Sequence, residues 1–126
     1  MKNLVAALVL AGAALFGLTA CSASPATPAA ESSISADAVV IDVRTPGEYA
    51  AGHLEGAMNI DVQASSFDSQ VAALATDGDY VVYCRSGSRS AGAAARLAEL
   101  GFTSVTDAGA MSSAAVTTGL PVVTTP

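Results

Sequence analysis

Short apolar runs alternate with helix-like segments from residue 38 onward, and this alternation limits the fold more than any other feature of the sequence. The two clearest runs, AVVIDV at residues 38–43 and YVVYC at residues 80–84, have the length and the β-branched and aromatic content of strands. They are largely apolar without alternation, as is typical of strands buried in a parallel sheet. The sequence therefore predicts an α/β domain whose central, mainly parallel sheet is flanked by helices.

Local signals predict the elements between and after these strands. We expect three helices, one from Pro46 to no further than Gly52, one over residues 67–75 and one over residues 90–100. Weaker strand signals lie in residues 58–62 and 102–108. Gly101 is expected to follow the last of these helices as its C-terminal cap. Residues 119–123, GLPVV, are expected to pack against an edge of the domain.

The helix predicted over residues 67–75 has an apolar face, because Phe67, Val71 and Leu74 recur at helical spacing. One of the serines at residues 65–66 is expected to cap its first turn. The tail from Met111 to Pro126 is small and polar apart from GLPVV.

The first twenty residues have the pattern of a secretory signal. Lys2 precedes an uncharged apolar run, residues 4–18, that is short for a bilayer crossing. The sequence LTAC at residues 18–21 resembles the bacterial lipobox, in which a signal peptidase cuts before the cysteine and the thiol carries a diacylglycerol. We therefore expect an exported protein that loses residues 1–20 and is anchored to the outer face of a bacterial membrane by lipidated Cys21. An ordinary signal peptide cut nearby is the alternative.

A flexible tether is expected between the lipid and the domain. Residues 21–33 comprise Cys21 and then SASPATPAAESS, a composition that cannot bury a core. The folded domain is therefore expected over residues 34–126. Without Lys2, four of the five basic residues remain against eleven acidic ones, so the mature chain has a formal charge of −7. This acidic balance argues against nucleic acid as a partner.

Cys84 ends the strongest predicted strand, and a predicted helix begins a few residues later. Ligands of open parallel sheets bind at this end of the strands. The intervening residues 85–89 are polar and include Gly87, so their N–H groups are able to converge on one anion. If Cys21 carries the lipid, Cys84 is the remaining thiol, and an unpaired cysteine in an exported protein indicates reactivity.

Arg85 and Arg89 place fixed positive charge beside the sulfur of Cys84, and the start of the helix adds to that field. Both effects lower the pKa of the thiol and favour the thiolate, which is a nucleophile. The alternative is a small, buried, unreactive cysteine with solvated arginines beside it. Four residues separate Cys84 from Arg89, one fewer than in the phosphatase arrangement, so the loop suits a sulfur atom better than a phosphate.

These segments resemble the single-domain rhodaneses, which are sulfurtransferases. The matching sequences are VVIDVRTPGEYAAGHLEGAMNI at residues 39–60, YVVYCRSGSRSA at residues 80–91 and TGLPV at residues 118–122. The resemblance covers nearly all of the chain from residue 38 to residue 123. It implies a rhodanese-like three-layer domain that transfers a sulfane sulfur, and it implies no metal and no organic cofactor.

By this resemblance, Cys84 attacks the sulfane sulfur of an anionic donor, such as thiosulfate, a polysulfide or a persulfide. It then holds that sulfur as a persulfide until a thiol or another nucleophile collects it. Donor binding and persulfide stabilisation would belong to the loop residues Arg85, Ser86, Gly87, Ser88 and Arg89. Arg89 is the arginine of the family motif, and Arg85 is expected nearest the entrance. The implied partners are a small anionic donor and a thiol acceptor.

Four residues outside the loop receive supporting roles. Asp42, at the end of a neighbouring strand, is expected to accept a hydrogen bond near the loop. Arg44 and Glu48 are expected to form an ion pair in the scaffold. His53 is also expected to belong to the scaffold, because the sequence gives no support for a protease-like pairing with the cysteine.

The chain departs from the family pattern in two places. Only SSISAD, residues 32–37, precedes the first strand of the core, where relatives usually carry a strand and a helix. The N-terminal strand–helix unit is therefore expected to be shortened. Ala110 and Ala114 stand where many relatives have a glycine and a tryptophan. Both departures are expected to affect stability and donor preference more than sulfur chemistry.

Two other functions fit the same residues. One is a tethered persulfide carrier or anion-binding module that hands sulfur to an unidentified partner protein without efficient turnover. The other, less favoured because of the loop length, is a phosphatase or arsenate reductase on the same scaffold. We expect the protein to act as a monomer on its tether.

Overall fold

Strands and helices alternate through residues 34–125, the part of the chain that the computed structural model describes. In chain order the elements are β1 (Val39–Asp42), α1 (Pro46–Ala51), β2 (His53–Leu54), β3 (Met58–Asn59), α2 (Phe67–Val71), β4 (Asp79–Cys84), α3 (Ser88–Glu99), β5 (Ser104–Ala110), α4 (Met111–Thr118) and β6 (Val122–Val123). The predicted signal, Cys21 and the whole tether, residues 21–33, lie outside these residues and stay predictions. No helix within residues 34–125 has both the length and the apolar character that a membrane crossing needs.

The central sheet is parallel, as the sequence predicts. Its strands lie in the order β3, β1, β4 and β5, and β1 pairs with β4 from Val39 opposite Tyr80 to Asp42 opposite Tyr83. After their first residue, β1 and β4 bury every side chain, because helices cover both faces of the sheet. The prediction of an α/β domain with a central parallel sheet between helices is confirmed.

Neighbouring residues of β4 serve opposite faces of the sheet, as the pleat requires. Val82 and Cys84 belong to the apolar cluster that includes α2 and α3. Val81 and Tyr83 belong to the cluster on the other face, which includes Ala114 of α4. Cys84 therefore lies on the side of the sheet that α3 covers, and α3 is the helix that follows it in the chain.

The second helix, α2, is shorter than predicted. It ends at Val71 instead of residue 75, because the chain tightens into a turn in which the N–H of Leu74 donates to the carbonyl of Val71 at 2.9 Å. Leu74 still packs against the core, so the predicted apolar face is confirmed. Ser66 is the N-cap residue, but with φ −86° and ψ 1° its backbone is not extended and its side chain caps no N–H. Its hydroxyl accepts a hydrogen bond from Gln70 instead.

The sequence analysis missed α4 and the pairing of β2 with β6. The residues of α4, MSSAAVTT, are mostly small or polar and show no apolar periodicity. The helix is held by tertiary packing, since the fully buried Ala114 lies in one cluster with Tyr83 of the sheet. The two short strands pair antiparallel, with His53 opposite Val123, over a long separation in the sequence. Residues 119–123 therefore contribute a strand to a separate two-stranded sheet.

The third helix, α3, begins two residues earlier than predicted, at Ser88, and ends before Gly101 as expected. Gly101 has a φ of 95°, the left-handed conformation that glycine often adopts after a helix. The early start matters for the site, because it places the N-cap of α3 at Gly87, inside the predicted anion-binding loop.

Candidate active site

Cys84 is the last residue of β4, and the loop to α3 begins directly after it. The residue is fully buried, and its thiol forms no disulfide within residues 34–125. The N–H of Gly87 donates a hydrogen bond to its Sγ atom at 2.9 Å. The thiol therefore lies at the carboxyl end of a parallel strand with the loop folded back on it, where sheets of this kind bind ligands.

The sulfur of Cys84 lies beside the start of α3. The N-cap residue is Gly87, and no side chain caps this helix. Instead, the N–H of Gly87 itself donates to the sulfur at 2.9 Å. Because the first N–H groups of a helix have no partner within it and carry partial positive charge, this arrangement favours negative charge on the sulfur.

Gly87 has a φ of 103°, in the left-handed region that residues with a β-carbon rarely adopt. Space is not the constraint, because a β-carbon here would lie 3.6 Å from the Cα atom of Gly109 and 3.7 Å from the backbone nitrogen of Ala110, which are ordinary contacts. The loop thus packs on the junction of β5 and α4. Ala110, where many relatives have glycine, lies beside the site through its backbone.

The pKa of Cys84 is lowered, although burial alone would raise it. Burial is the largest single effect and disfavours the thiolate. The hydrogen bonds from Ser90, Gly87 and Ser86 together exceed it and favour the thiolate. At a given pH a larger fraction of Cys84 is therefore ionised than of an ordinary cysteine, and the ionised form is the nucleophile.

Arg89 lies in the first turn of α3, but its guanidinium is bound by Glu48 of α1. Its Nη1 and Nη2 atoms donate to the Oε2 and Oε1 atoms of Glu48, both at 2.8 Å. Glu48 also accepts a hydrogen bond from the N–H of Thr45, and its own N–H donates to the Oγ1 atom of Thr45, which together form a capping box. The hydrogen bond from Arg89 is the main cause that lowers the pKa of Glu48 to about 2. The expected ion pair between Arg44 and Glu48 is therefore wrong.

Arg44 pairs with Asp42 instead, inside the scaffold. Its Nη2 atom donates to Asp42 Oδ2 and to the carbonyl oxygen of Gly52, both at 2.6 Å. The hydroxyl of Tyr83 donates to Asp42 Oδ2 at 2.9 Å and accepts from the N–H of Leu54 at 3.0 Å. The side chain of Asp42 therefore serves this buried network, which joins β1, β4 and β2, and not the loop as expected.

The rest of the loop is open to solvent. Arg85, Ser86 and Ser88 are exposed, whereas Arg89 is half-buried against Glu48. Arg85 takes part in none of the ion pairs found within residues 34–125. Of the two arginines predicted to bind an anion, the structure therefore leaves Arg85 without a carboxylate partner and commits the charge of Arg89 to Glu48.

Sequence reasoning missed Ser90, a fully buried residue in the first turn of α3. Its Oγ atom lies 3.6 Å from the Sγ atom of Cys84. A signal was available, because Ser90 is the third residue after the N-cap Gly87, the position that faces a capping atom. Because the predicted helix begins at residue 90, the sequence analysis does not place Ser90 at this third position.

His53 belongs to the scaffold, as expected. It is buried, its ring stacks on that of Tyr49 with centroids 3.7 Å apart, and its Nδ1 atom lies 2.8 Å from the carbonyl oxygen of Tyr49. Within the described part of the chain, no three His, Cys, Asp or Glu side chains are grouped so that they could hold a metal ion.

Comparison with known proteins relates this geometry to one family. The family model described as "Rhodanese-like domain" matches residues 26–109. The thiosulfate sulfurtransferase GlpE of Pseudomonas fluorescens is 41% identical over 69 residues, which are 54% of this chain and 61% of that protein. The thiosulfate sulfurtransferase PspE of Escherichia coli is 35% identical over 71 residues, which are 56% of this chain and 68% of that protein. The chain thus spans about three fifths of the length of the GlpE proteins it matches.

The solved structures agree with this relation. A rhodanese with anions from E. coli superposes with a TM-score of 0.59 at 32% sequence identity, over 69% of this chain and 98% of that chain. The described sheet and helices therefore share the fold of that rhodanese.

Proposed function

The chain belongs to the rhodanese-like domain family, and we propose that it is a sulfurtransferase that moves a sulfane sulfur from an anionic donor to a thiol through a persulfide on Cys84. The observation that carries this proposal is the hydrogen bond at 2.9 Å from the loop N–H of Gly87 to the buried sulfur of Cys84, beside the start of α3. A thiol that only fills space gains little from such donors, whereas a thiolate nucleophile depends on them. The names of its relatives GlpE and PspE support thiosulfate as a donor.

In the first half-reaction the Cys84 thiolate attacks the outer sulfur of thiosulfate. The bond between the two sulfurs of the donor breaks, its electron pair leaves with sulfite, and the outer sulfur stays on Cys84 as a persulfide. The step therefore balances without an external oxidant. The loop N–H groups stabilise the negative charge of the thiolate and then that of the persulfide, because both lie at the same end of β4.

In the second half-reaction an acceptor thiolate attacks the outer sulfur of the persulfide. The bond to the Sγ atom of Cys84 breaks, Cys84 leaves as the thiolate, and the acceptor carries the persulfide away. A thiol of lower pKa is the better leaving group, so the hydrogen bonds that lower the pKa of Cys84 also favour this step. One loop thus serves both half-reactions.

The full burial of Cys84 limits which donors react. A donor has to pass the exposed residues Arg85, Ser86 and Ser88 and present a slender terminal atom to the sulfur. The outer sulfur of thiosulfate, of a polysulfide or of a persulfide is such an atom. The phosphorus of a phosphate ester is surrounded by four oxygens, so the geometry favours sulfur transfer over phosphate chemistry.

Arg85→Ala is expected to weaken donor binding more than it slows the chemistry. Arg85 is exposed and takes part in none of the ion pairs of residues 34–125, so it is the charge that an incoming dianion meets. We expect the KM for thiosulfate to rise about three- to tenfold, with a smaller change in kcat and a weaker dependence on salt. Steady-state assays at two ionic strengths measure these three quantities.

Arg96→Ala is the matched control for this variant. Arg96 lies near the end of α3 and forms surface ion pairs with Asp68 and Glu99. Its loss changes the net charge by the same amount but away from the loop, so the KM is expected to stay near that of the wild type. An unchanged KM in Arg85→Ala, or an equal rise in Arg96→Ala, would argue against a donor-binding role of Arg85.

Repeated turnover distinguishes a sulfurtransferase from a persulfide carrier. With thiosulfate and an excess of dithiothreitol as acceptor, we expect many equivalents of sulfite per equivalent of protein. A carrier would release one equivalent as it loads and then stall until its partner arrives. A phosphatase would release phosphate from an ester and no sulfite. Folded protein that releases no sulfite at all would refute the proposed function.

A further inference from the structure

We propose that the hydroxyl of Ser90 is a hydrogen-bond switch that follows the charge of Cys84, accepting from the thiol and donating to the thiolate. The response of the hydroxyl to ionisation of Cys84 does not depend on what the protein does. Only the part of the switch in the two half-reactions rests on the proposed sulfurtransferase function. Because the Oγ atom of Ser90 contacts the reacting sulfur, Ser90 is a catalytic residue in this proposal and not a packing residue.

The Oγ atom of Ser90 lies between two partners. The thiol of Cys84 donates to it across 3.6 Å, and the hydroxyl donates its own proton to the carbonyl oxygen of Gly87 at 3.0 Å. Cys84 and Ser90 are both fully buried, so solvent does not take over either contact. The result is a short chain of hydrogen bonds that runs from the sulfur through the hydroxyl to the carbonyl.

This chain has to reverse when Cys84 loses its proton. A thiolate has no proton to donate, so the sulfur and the carbonyl oxygen of Gly87 both become acceptors for the single hydroxyl proton of Ser90. The carbonyl keeps a second donor, the N–H of Ala91 at 3.2 Å. Rotation of the hydroxyl toward the sulfur therefore leaves no buried carbonyl without a partner. The hydrogen bond to the charged sulfur is also stronger than the one to the neutral carbonyl.

The N–H of Gly87, which also donates to the sulfur, differs from this hydroxyl in its effect. An N–H only donates, so it favours the thiolate in every state. The hydroxyl is able to satisfy both the protonated and the ionised sulfur without a movement of the backbone. In the proposed reaction it would donate to the thiolate before the attack and again when Cys84 leaves the persulfide.

The charged groups on the elements around the sulfur stay in place when only Ser90 is changed. Those nearest the sulfur include Arg85 of the loop, Arg89 of α3 and Glu48 of α1, with Asp61 after β3 acting on Arg89. A change in the ionisation of Cys84 in a Ser90 variant therefore reports the hydroxyl and not these charges.

The test is the pH profile of Cys84 alkylation by iodoacetamide, quantified on the peptide that carries Cys84. Iodoacetamide reacts with the thiolate, so the profile follows ionisation. Loss of the hydroxyl in Ser90→Ala raises the pKa of Cys84, which reduces the thiolate fraction below that pKa and leaves it complete far above. We expect alkylation about three- to tenfold slower than in the wild type at the acidic end and equal at the alkaline end.

Two further variants control for a loss of packing in Ser90→Ala. Ser90→Thr and Ser90→Val have nearly the same shape and differ in the hydroxyl, so their comparison holds even if alanine loosens the site. We expect the threonine variant to react several-fold faster than the valine variant at acidic pH and equally at alkaline pH. Ser69→Ala, which removes an exposed hydroxyl of α2, is expected to follow the wild type.

The proposal is overturned if the Ser90→Ala profile coincides with that of the wild type. It is also overturned if the alkylation rate of Ser90→Ala is lower than that of the wild type by the same factor at every pH. Coincident threonine and valine profiles overturn it as well. The readout needs no sulfur donor, so it separates the two proposals. Shifted profiles without persulfide formation would sink the sulfurtransferase function alone, whereas persulfide formation with coincident profiles would sink the switch alone.

Discussion

Cys84→Ser is expected to abolish sulfite release from thiosulfate while the domain stays folded. A serine hydroxyl is not ionised near neutral pH, so the variant has no nucleophile at the end of β4 and no atom that can carry the outer sulfur. Serine is close to cysteine in size, so the buried site stays filled. We expect a loss of more than about a thousandfold in kcat/KM, measured as the steady-state rate of sulfite release.

Cys21→Ser is the matched control, because Cys21 is the other cysteine of the chain. In purified protein it is expected to release sulfite at the wild-type rate. Thermal unfolding of both variants shows whether each is folded. A folded Cys84→Ser variant that keeps a tenth of the wild-type activity, or a Cys21→Ser variant that loses it, would place the reacting thiol elsewhere than at Cys84.

Asp42→Ala is expected to lower the free energy of unfolding by about 3–5 kcal/mol, the range found when one partner of a buried ion pair is removed. Asp42 is fully buried and Arg44 is 5% exposed, so the change leaves a guanidinium charge inside the scaffold. The hydroxyl of Tyr83 loses its acceptor at the same time. Chemical denaturation followed by circular dichroism measures the difference.

Asp68→Ala is the surface counterpart of this variant, because it breaks the ion pair between Asp68 and Arg96. Those side chains are 48% and 43% exposed, so water already screens their attraction, and the denaturation midpoint is expected to stay close to that of the wild type. If the two aspartate variants lowered the midpoint equally, the buried network of Asp42, Arg44 and Tyr83 would have no special part in stability.

The strands and the position of the loop could be predicted because their signals are local. The apolar run at residues 80–84 indicates a buried strand by itself, and it ends at Cys84 in the structure. Gly87 supplies the left-handed residue on which the turn into α3 depends, with a φ of 103°. Gly101 ends the same helix for a similar reason.

The partners of the charged side chains could not be predicted in this way, because they depend on distant elements. Glu48 stands four residues after Arg44, a spacing that suggests an ion pair within a helix. Arg44, however, precedes the N-cap Thr45 and lies outside the helix, so the spacing rule does not apply to it. Glu48 instead binds Arg89, which is 41 residues away in the sequence.

The role of Ser90 could not be predicted, because it depends on the residue at which α3 begins. With the helix begun at residue 90, Ser90 stands at the entrance of the helix and has no defined direction. With the observed start at Ser88, it becomes the third helical residue, and its Oγ atom lies 3.6 Å from the sulfur of Cys84. No side chain caps α3 at Gly87, so the sequence holds no cap pattern that would mark this start.

Intact mass spectrometry after incubation with thiosulfate tests the persulfide on Cys84 most directly. We expect the protein to gain one sulfur atom, about 32 Da, as a persulfide that dithiothreitol removes and that the Cys84→Ser variant does not form. Folded protein whose mass stays the same with thiosulfate and with polysulfide would contradict sulfur transfer through Cys84.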